Sequence, residues 1–145
     1  MKRAVDFFDE GYACAVSILS VYAEQFELQE KDVVKIASCF GAGMGRLRKT
    51  CGALTGATMV IGMAFGNSDP KDMKTKLDAY EKVRELFQKF EEKYNTSDCI
   101  ELLKVKCTDE QIKNRYHHKL ICREVIETTQ QLLDGILEEH STTSH

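Results

Sequence analysis

The chain has 145 residues, enough for one domain with a real hydrophobic core. Its 20 Lys and Arg against 23 Asp and Glu leave a formal charge of -3, so no basic excess points to nucleic acid. One proline, no tryptophan, and frequent Leu, Glu, Lys and Ala point to an all-α protein.

In chain order, Lys2 and Arg3 are followed by Asp6, Asp9 and Glu10, which interrupt any signal-peptide-like apolar stretch. A cytoplasmic protein is expected. Phe7, Phe8, Ala15, Ile18, Leu19 and Tyr22 recur at helical spacing and predict one helix from Ala4 to about Glu24. "LQEKDVVKIASCF" predicts a second, with Val33, Val34, Ile36, Ala37 and Phe40 on its apolar side. "GAGMG" should end it, because glycine lowers helix propensity.

Thr50 is the expected N-cap of a third helix, Cys51 to about Phe65, which is apolar all round and so should be buried on all sides. Its strongly apolar part is too short for a membrane span of about 20 residues. The spacings Gly52/Gly56 and Gly62/Gly66 permit close helix contact. Asp69 as N-cap and Pro70 as first helical residue predict a fourth helix, continuing through Met73, Leu77, Tyr80, Phe87 and Phe90 to about Tyr94. Capping-box spacings at Asp98/Glu101 and Thr108/Gln111 open a short helix and a long one reaching about Glu139. Ile112, Tyr116, Leu120, Val125, Leu132, Leu133 and Ile136 stripe the long helix. The expected fold is thus a single-domain bundle of about five to six helices over residues 1–140, around a buried, glycine-spaced central helix. Residues 141–145 are expected to form a disordered tail. Met44, Met59, Met63 and Met73 read as core packing.

Six cysteines stand at positions 14, 39, 51, 99, 107 and 122. In a reducing compartment this number argues for metal binding or redox chemistry rather than a disulfide framework. No C-x-x-C occurs, so no zinc ribbon, ferredoxin run or thioredoxin dithiol is encoded locally. Without C-x-x-C-H, no haem c is expected. Any multi-cysteine site must be assembled by folding. Cys51 and Cys99 fall in predicted first turns, where unpaired N–H groups favour a thiolate. Arg46, Arg48 and Lys49 should reinforce this at Cys51, and Asp98 should oppose it at Cys99. His118 and Cys122 share a helix face, as two ligands of one metal would, although His117 and His118 also suit an ordinary surface. "GAGMGR" lacks the third glycine of a dinucleotide loop, so no nucleotide is predicted. Arg46 remains a candidate anion contact beside a helix N-terminus, against the plainer reading of a solvated basic turn.

"CFGAGMGRLRKTCGALTGATMVIGMAFG" resembles the C_GCAxxG_C_C family of small helical proteins, with "CGALTG" at Cys51–Gly56 matching its central motif. The family's earlier cysteine falls on Cys14 in "GYACA", and its two later ones on Cys99 and Cys122. The resemblance runs from about Phe7 to Leu133. It implies thiol or metal redox chemistry at Cys14, Cys51, Cys99 and Cys122, and a related architecture carries an iron–sulfur site. Cys39 and Cys107 lie outside the pattern.

Three functions remain open. The four cysteines could hold an iron–sulfur cluster or another thiolate-bound metal, because thiolates packed together call for a cation. Two of them could instead cycle as a metal-free dithiol carrier serving a redox partner. Alternatively, the chain is a helical interaction module, a homodimer, whose cysteines only pack. No acid–base pair, triad or hydrolase motif marks it as an enzyme.

Overall fold

The computed structural model describes residues 2–114 and 118–141. Eight α-helices follow one another: α1 (Ala4–Asp9), α2 (Cys14–Tyr22), α3 (Glu30–Ser38), α4 (Gly52–Phe65), α5 (Met73–Tyr94), α6 (Cys99–Lys106), α7 (Asp109–Lys113) and α8 (Arg123–Ser141). A left-handed turn at Gly41–Met44 precedes α4, and a π-helical turn at His118–Cys122 precedes α8. The described residues contain no strand, only a single antiparallel bridge between Thr50 and Asp98. The all-α expectation holds.

Two breaks raise the helix count above the expected five to six. Gly11 adopts φ +107°, which glycine tolerates and other residues resist, and this divides the predicted Ala4–Glu24 helix in two. The chain restarts as α2 after Ala13, so Cys14 opens a helix rather than sitting inside one. The second break divides the predicted final helix. Thr108 and Gln111 form their capping box, but α7 ends at Lys113 with Asn114, a weak helix former, as its cap. Tyr116 and His117, the His118 side chain and the expected tail from 142 onward lie outside the described residues; Ser141 ends α8.

Helix α5 also starts later than its sequence suggests. Asp72 is the N-cap, its carboxylate accepting from the Thr75 N–H at 3.1 Å. Asp69 instead accepts from the Lys71 N–H at 2.9 Å, closing the turn that contains Pro70. The turn residues satisfy each other first, which postpones the helix.

Helix α4 is central, packing on α2, α5 and α8. Ala53, Leu54, Ala57, Val60 and Ile61 are fully buried, against neighbours that include Ile18, Leu86, Phe90, Ile126, Leu133 and Ile136. Its last turn emerges, with Gly62, Met63 and Ala64 exposed, so all-round burial stops short of the C-terminal end. Of the four methionines expected inside, Met59 packs against the core, whereas Met44, Met63 and Met73 are exposed. Ile36 also faces solvent, because α3 buries only Val33 and Ala37, and Leu77 and Tyr80 of α5 are exposed too.

The closest approach in the core is between α4 and α2. A β-carbon on Gly56 would lie 2.7 Å from the Ala15 carbonyl oxygen and 3.0 Å from Ala15 Cα. No such contact forms at Gly62, where a β-carbon would meet nothing within 4 Å. Of the two glycine pairs in the sequence, the first makes the helix crossing. Helix α8 then ties down the N-terminal helices: buried Gln130 accepts from the Ala4 N–H at 2.8 Å, and Asp134 accepts from the Tyr22 hydroxyl.

Gly56→Ala should destabilise the fold by about 1–3 kcal/mol through overpacking against backbone. Gly62→Ala should stabilise it by about 0.5–1 kcal/mol, the usual gain from replacing an open mid-helix glycine. Urea unfolding of both variants checks the pair.

Candidate functional site

The four cysteines come from four different elements. Cys14 is the first residue of α2, Cys51 is the N-cap of α4, Cys99 is the first residue of α6, and Cys122 closes the π-turn before α8. Thr50 was the expected cap of α4, but its backbone is engaged in the bridge to Asp98, which shifts the cap to Cys51. Asp98 sits at the N-cap of α6 without a side-chain cap bond, so the predicted Asp98/Glu101 box does not form. Its own N–H is taken by the Thr96 hydroxyl at 3.1 Å.

Backbone pairing brings the cysteines together. The Cys51 N–H donates to the Ser97 carbonyl at 2.8 Å, the Cys99 N–H donates to the Lys49 carbonyl, and the Ile100 N–H donates to the Arg48 carbonyl at 3.1 Å. Two helix starts far apart in sequence are thereby fastened side by side. Gly52 does the same for Cys14: a β-carbon at Gly52 would stand 3.0 Å from the Cys14 Cβ.

The "GAGMGR" segment does more than end a helix. Ala42, Gly43, Met44, Gly45 and Arg46 all have positive φ, between 53° and 71°, and Arg48 follows at 61°. A left-handed run of this kind costs about 1–2 kcal/mol for each non-glycine residue. It is closed by the Lys49 N–H donating to the Gly43 carbonyl at 3.0 Å. A β-carbon on Gly43 would fall 2.6 Å from the Lys49 nitrogen, so the coil needs glycine there. The coil delivers the Ala42 N–H to the Cys14 thiol and puts both arginines beside the cysteines.

Cys14, Cys51, Cys99 and Cys122 line one cavity of about 20 Å³, whose remaining described lining is glycine, alanine and branched aliphatic. That volume admits a water-sized occupant. Among the described residues no three cysteine sulfurs lie within 4.8 Å of one another. Cys14, Cys99 and Cys122 also border an adjoining open cleft of about 290 Å³, together with Arg46 and Arg48. Cys39 and Cys107 line neither space. All six are free thiols.

Electrostatics run against the expectation of a low-pKa Cys51. Burial pushes its thiol well above the ordinary value, the nearby Cys14 adds to the rise, and the N–H groups of Ala53 and Leu54 oppose it only in part. Hydrogen bonding with Cys122 and then burial hold the Cys14 thiol far up as well. Burial also raises Cys99, offset by the Arg48 guanidinium at 3.8 Å from its sulfur. Of the three basic residues assigned to Cys51 by proximity in sequence, Arg48 therefore acts on Cys99, and Asp98 has no part in that shift. The helix ends favour thiolates, but removal from water outweighs them.

A sequence model of the family described as "Putative redox-active protein (C_GCAxxG_C_C)" matches residues 12–136. The chain belongs to that family. No curated protein and no solved structure matches the chain. All four cysteines assigned by the sequence resemblance fall within the matched C_GCAxxG_C_C region, and they are the four that meet at the cavity.

Sequence reasoning missed the Ala42 amide and the role of Arg48, whose only signal was a glycine-rich run next to basic residues. The described residues hold one further group of metal-type donors, Glu85, Glu139 and His140. Glu85 there already meets Lys89 at 3.5 Å, and the group is partly exposed. No described helix is long and apolar enough to cross a membrane.

A thiol whose folded-state pKa is raised stabilises the fold below its unfolded pKa, and that contribution fades as pH climbs past it. The metal-free protein should therefore lose stability as pH rises above the ordinary thiol value of 9.0. Cys51→Ala should flatten this slope without abolishing it, because buried Tyr22 and half-buried Tyr94 are raised too. Urea midpoints measured from pH 7 to pH 10.5 test the sign.

Proposed function

We propose that Cys14, Cys51, Cys99 and Cys122 are the thiolate ligands of one redox-active metal site, an iron–sulfur cluster or another thiolate-bound metal. The observation that carries this reading is the convergence of these four cysteines, from four elements, on one apolar cavity. An all-sulfur donor set in dry surroundings suits iron–sulfur, zinc or copper(I) chemistry. One tetrahedral ion with bonds of about 2.3 Å needs sulfurs about 3.8 Å apart, closer than any three of the described cysteine sulfurs come together here. Spacing thus favours a group wider than one ion, whereas cavity volume favours a single ion. Metal and sulfide analysis separates the two. A redox-active metal would suit a family described as redox-active. A reducing compartment such as the cytoplasm fits, since free thiols persist there.

A metal-free dithiol carrier is the second reading, and the hydrogen-bonded Cys14 and Cys122 pair favours it. Joining these two sulfurs releases two protons and passes two electrons to an acceptor, with reduction running in reverse.

Anaerobic purification followed by metal, sulfide and absorption measurements decides between them. The expected result is stoichiometric metal in the unmodified protein and in Cys39→Ser and Cys107→Ser. Affinity should fall by at least about tenfold in each single serine variant of the four cysteines. A colourless, metal-free protein that gains a Cys14–Cys122 disulfide on mild oxidation would establish the carrier instead. Because Cys14, Cys51 and Cys99 hold their protons more tightly than ordinary thiols, metal must displace them. Apparent affinity should therefore drop as pH is lowered, by up to about tenfold per pH unit for each proton displaced. Competition with a chelator across pH measures that slope.

A further inference from the structure

The cleft beside the cysteine cavity has a charge character of its own. Its volume, about 290 Å³, is near the lower end for small-molecule sites. The described lining includes Arg46 and Arg48 but no carboxylate, in a chain whose acidic residues outnumber its basic ones. Other described arginines sit against carboxylates: Arg3 at 3.9 Å from Glu127, Arg84 at 3.1 Å from Glu81, and Arg123 at 3.0 Å from Asp9. Arg46 and Arg48 make no ion pair among the described residues. Arg48 gives one long bond to the Cys99 sulfur, which leaves most of its N–H donors unused. Among the described residues Arg46 makes no bond to a cysteine sulfur, and it is not among the groups that set the Cys14, Cys51 or Cys99 thiols.

Both arginines also occupy backbone that side chains resist, at φ 67° and 61°. Strained positions persist where surrounding structure imposes them, and they gather at ligand clamps. Here the Arg48 N–H donates to the Ala42 carbonyl at 3.3 Å, and the Arg46 N–H to the Gly41 carbonyl at 3.4 Å. The loop is thereby coiled so that both guanidinium-bearing residues border one concavity. A guanidinium fork matches carboxylate and phosphate oxygens in pairs.

We infer that this cleft binds a small molecule through a carboxylate or phosphate group, with Arg46 and Arg48 as the anion-binding pair. The volume and the chain's overall negative charge suit a small anion and disfavour a long polyanion. The inference stands on the cleft rather than on what the cysteines hold, and Cys51, which lines the inner cavity alone of the two spaces, has no part in it.

Calorimetric titration of the full chain with inorganic phosphate and, separately, with succinate tests it, at constant ionic strength in chloride. Saturable binding of at least one anion is expected, and which one binds distinguishes a phosphate from a carboxylate ligand. Arg46→Gln and Arg48→Gln should each weaken binding by at least about tenfold, the worth of a charge-assisted contact. Arg84→Gln, on another face, should not change it. Should either glutamine variant fail to fold, Arg46→Lys and Arg48→Lys keep the charge but lose the fork, and should also bind more weakly. No saturable binding of either anion, or unchanged affinity in the folded Arg46 and Arg48 variants, would overturn the inference. Metal content measured on the same samples reports separately on the cysteine site.

Discussion

Helices α2 and α4 meet backbone to backbone where Gly56 faces Ala15, and the cysteine site depends on that approach. With no side chain between them, the two helices run close enough for Gly52 to press on Cys14. Buried aliphatic residues on α4, such as Leu54 and Ile61, each supply about 1.5–3 kcal/mol and hold the crossing shut. The Thr50–Asp98 bridge then fastens the start of α6 to the start of α4. One close contact and one pair of backbone segments thus gather Cys14, Cys51 and Cys99 from three separate elements.

The gathering creates a conflict in the chemistry of the thiols. Helix N-termini favour negative charge by about 0.3–1 kcal/mol near the surface and up to about 2 in buried geometries. Removal from water opposes charge by up to several pKa units for fully buried groups, each unit being about 1.4 kcal/mol. Burial wins at Cys51, the Cys122 hydrogen bond and then burial win at Cys14, and burial wins less completely at Cys99, where Arg48 intervenes. In the absence of a cation these three thiols therefore keep their protons. A bound metal ion would reverse the balance, because its own charge would be the largest local field and the helix ends would then act in the same direction. The left-handed coil over Cys14 and the π-turn ending at Cys122 are two irregular elements among the described residues, and both border this site.

The helical class, the central position of α4 and the Gly52/Gly56 crossing were legible because they rest on local composition and spacing. The cysteines were legible as a set through the family resemblance, and not through any pairwise spacing. What the sequence concealed depends on contacts between distant segments. Thr50 has every property of an N-cap, yet pairing with Asp98 passes that role to Cys51. The basic residues next to Cys51 suggested an acidic thiol, but neighbours in sequence are not neighbours in space, and Arg48 reaches Cys99 instead. Gly11 offered a visible sign of the break before Cys14, outweighed by the helical spacing on either side of it. Met63 and Met73 read as core packing from composition, yet both face solvent, as does Leu77.

The central claim is that these four cysteines act together as one ligand set. X-ray absorption at the edge of the metal bound to the purified protein tests it most directly, since the first coordination shell reports ligand type and number. The account predicts a shell of sulfur alone, near 2.3 Å as is usual for a thiolate metal, that loses a scatterer in Cys51→Ser. A shell containing nitrogen or oxygen in the unmodified protein, or a spectrum unchanged by that substitution, would contradict it.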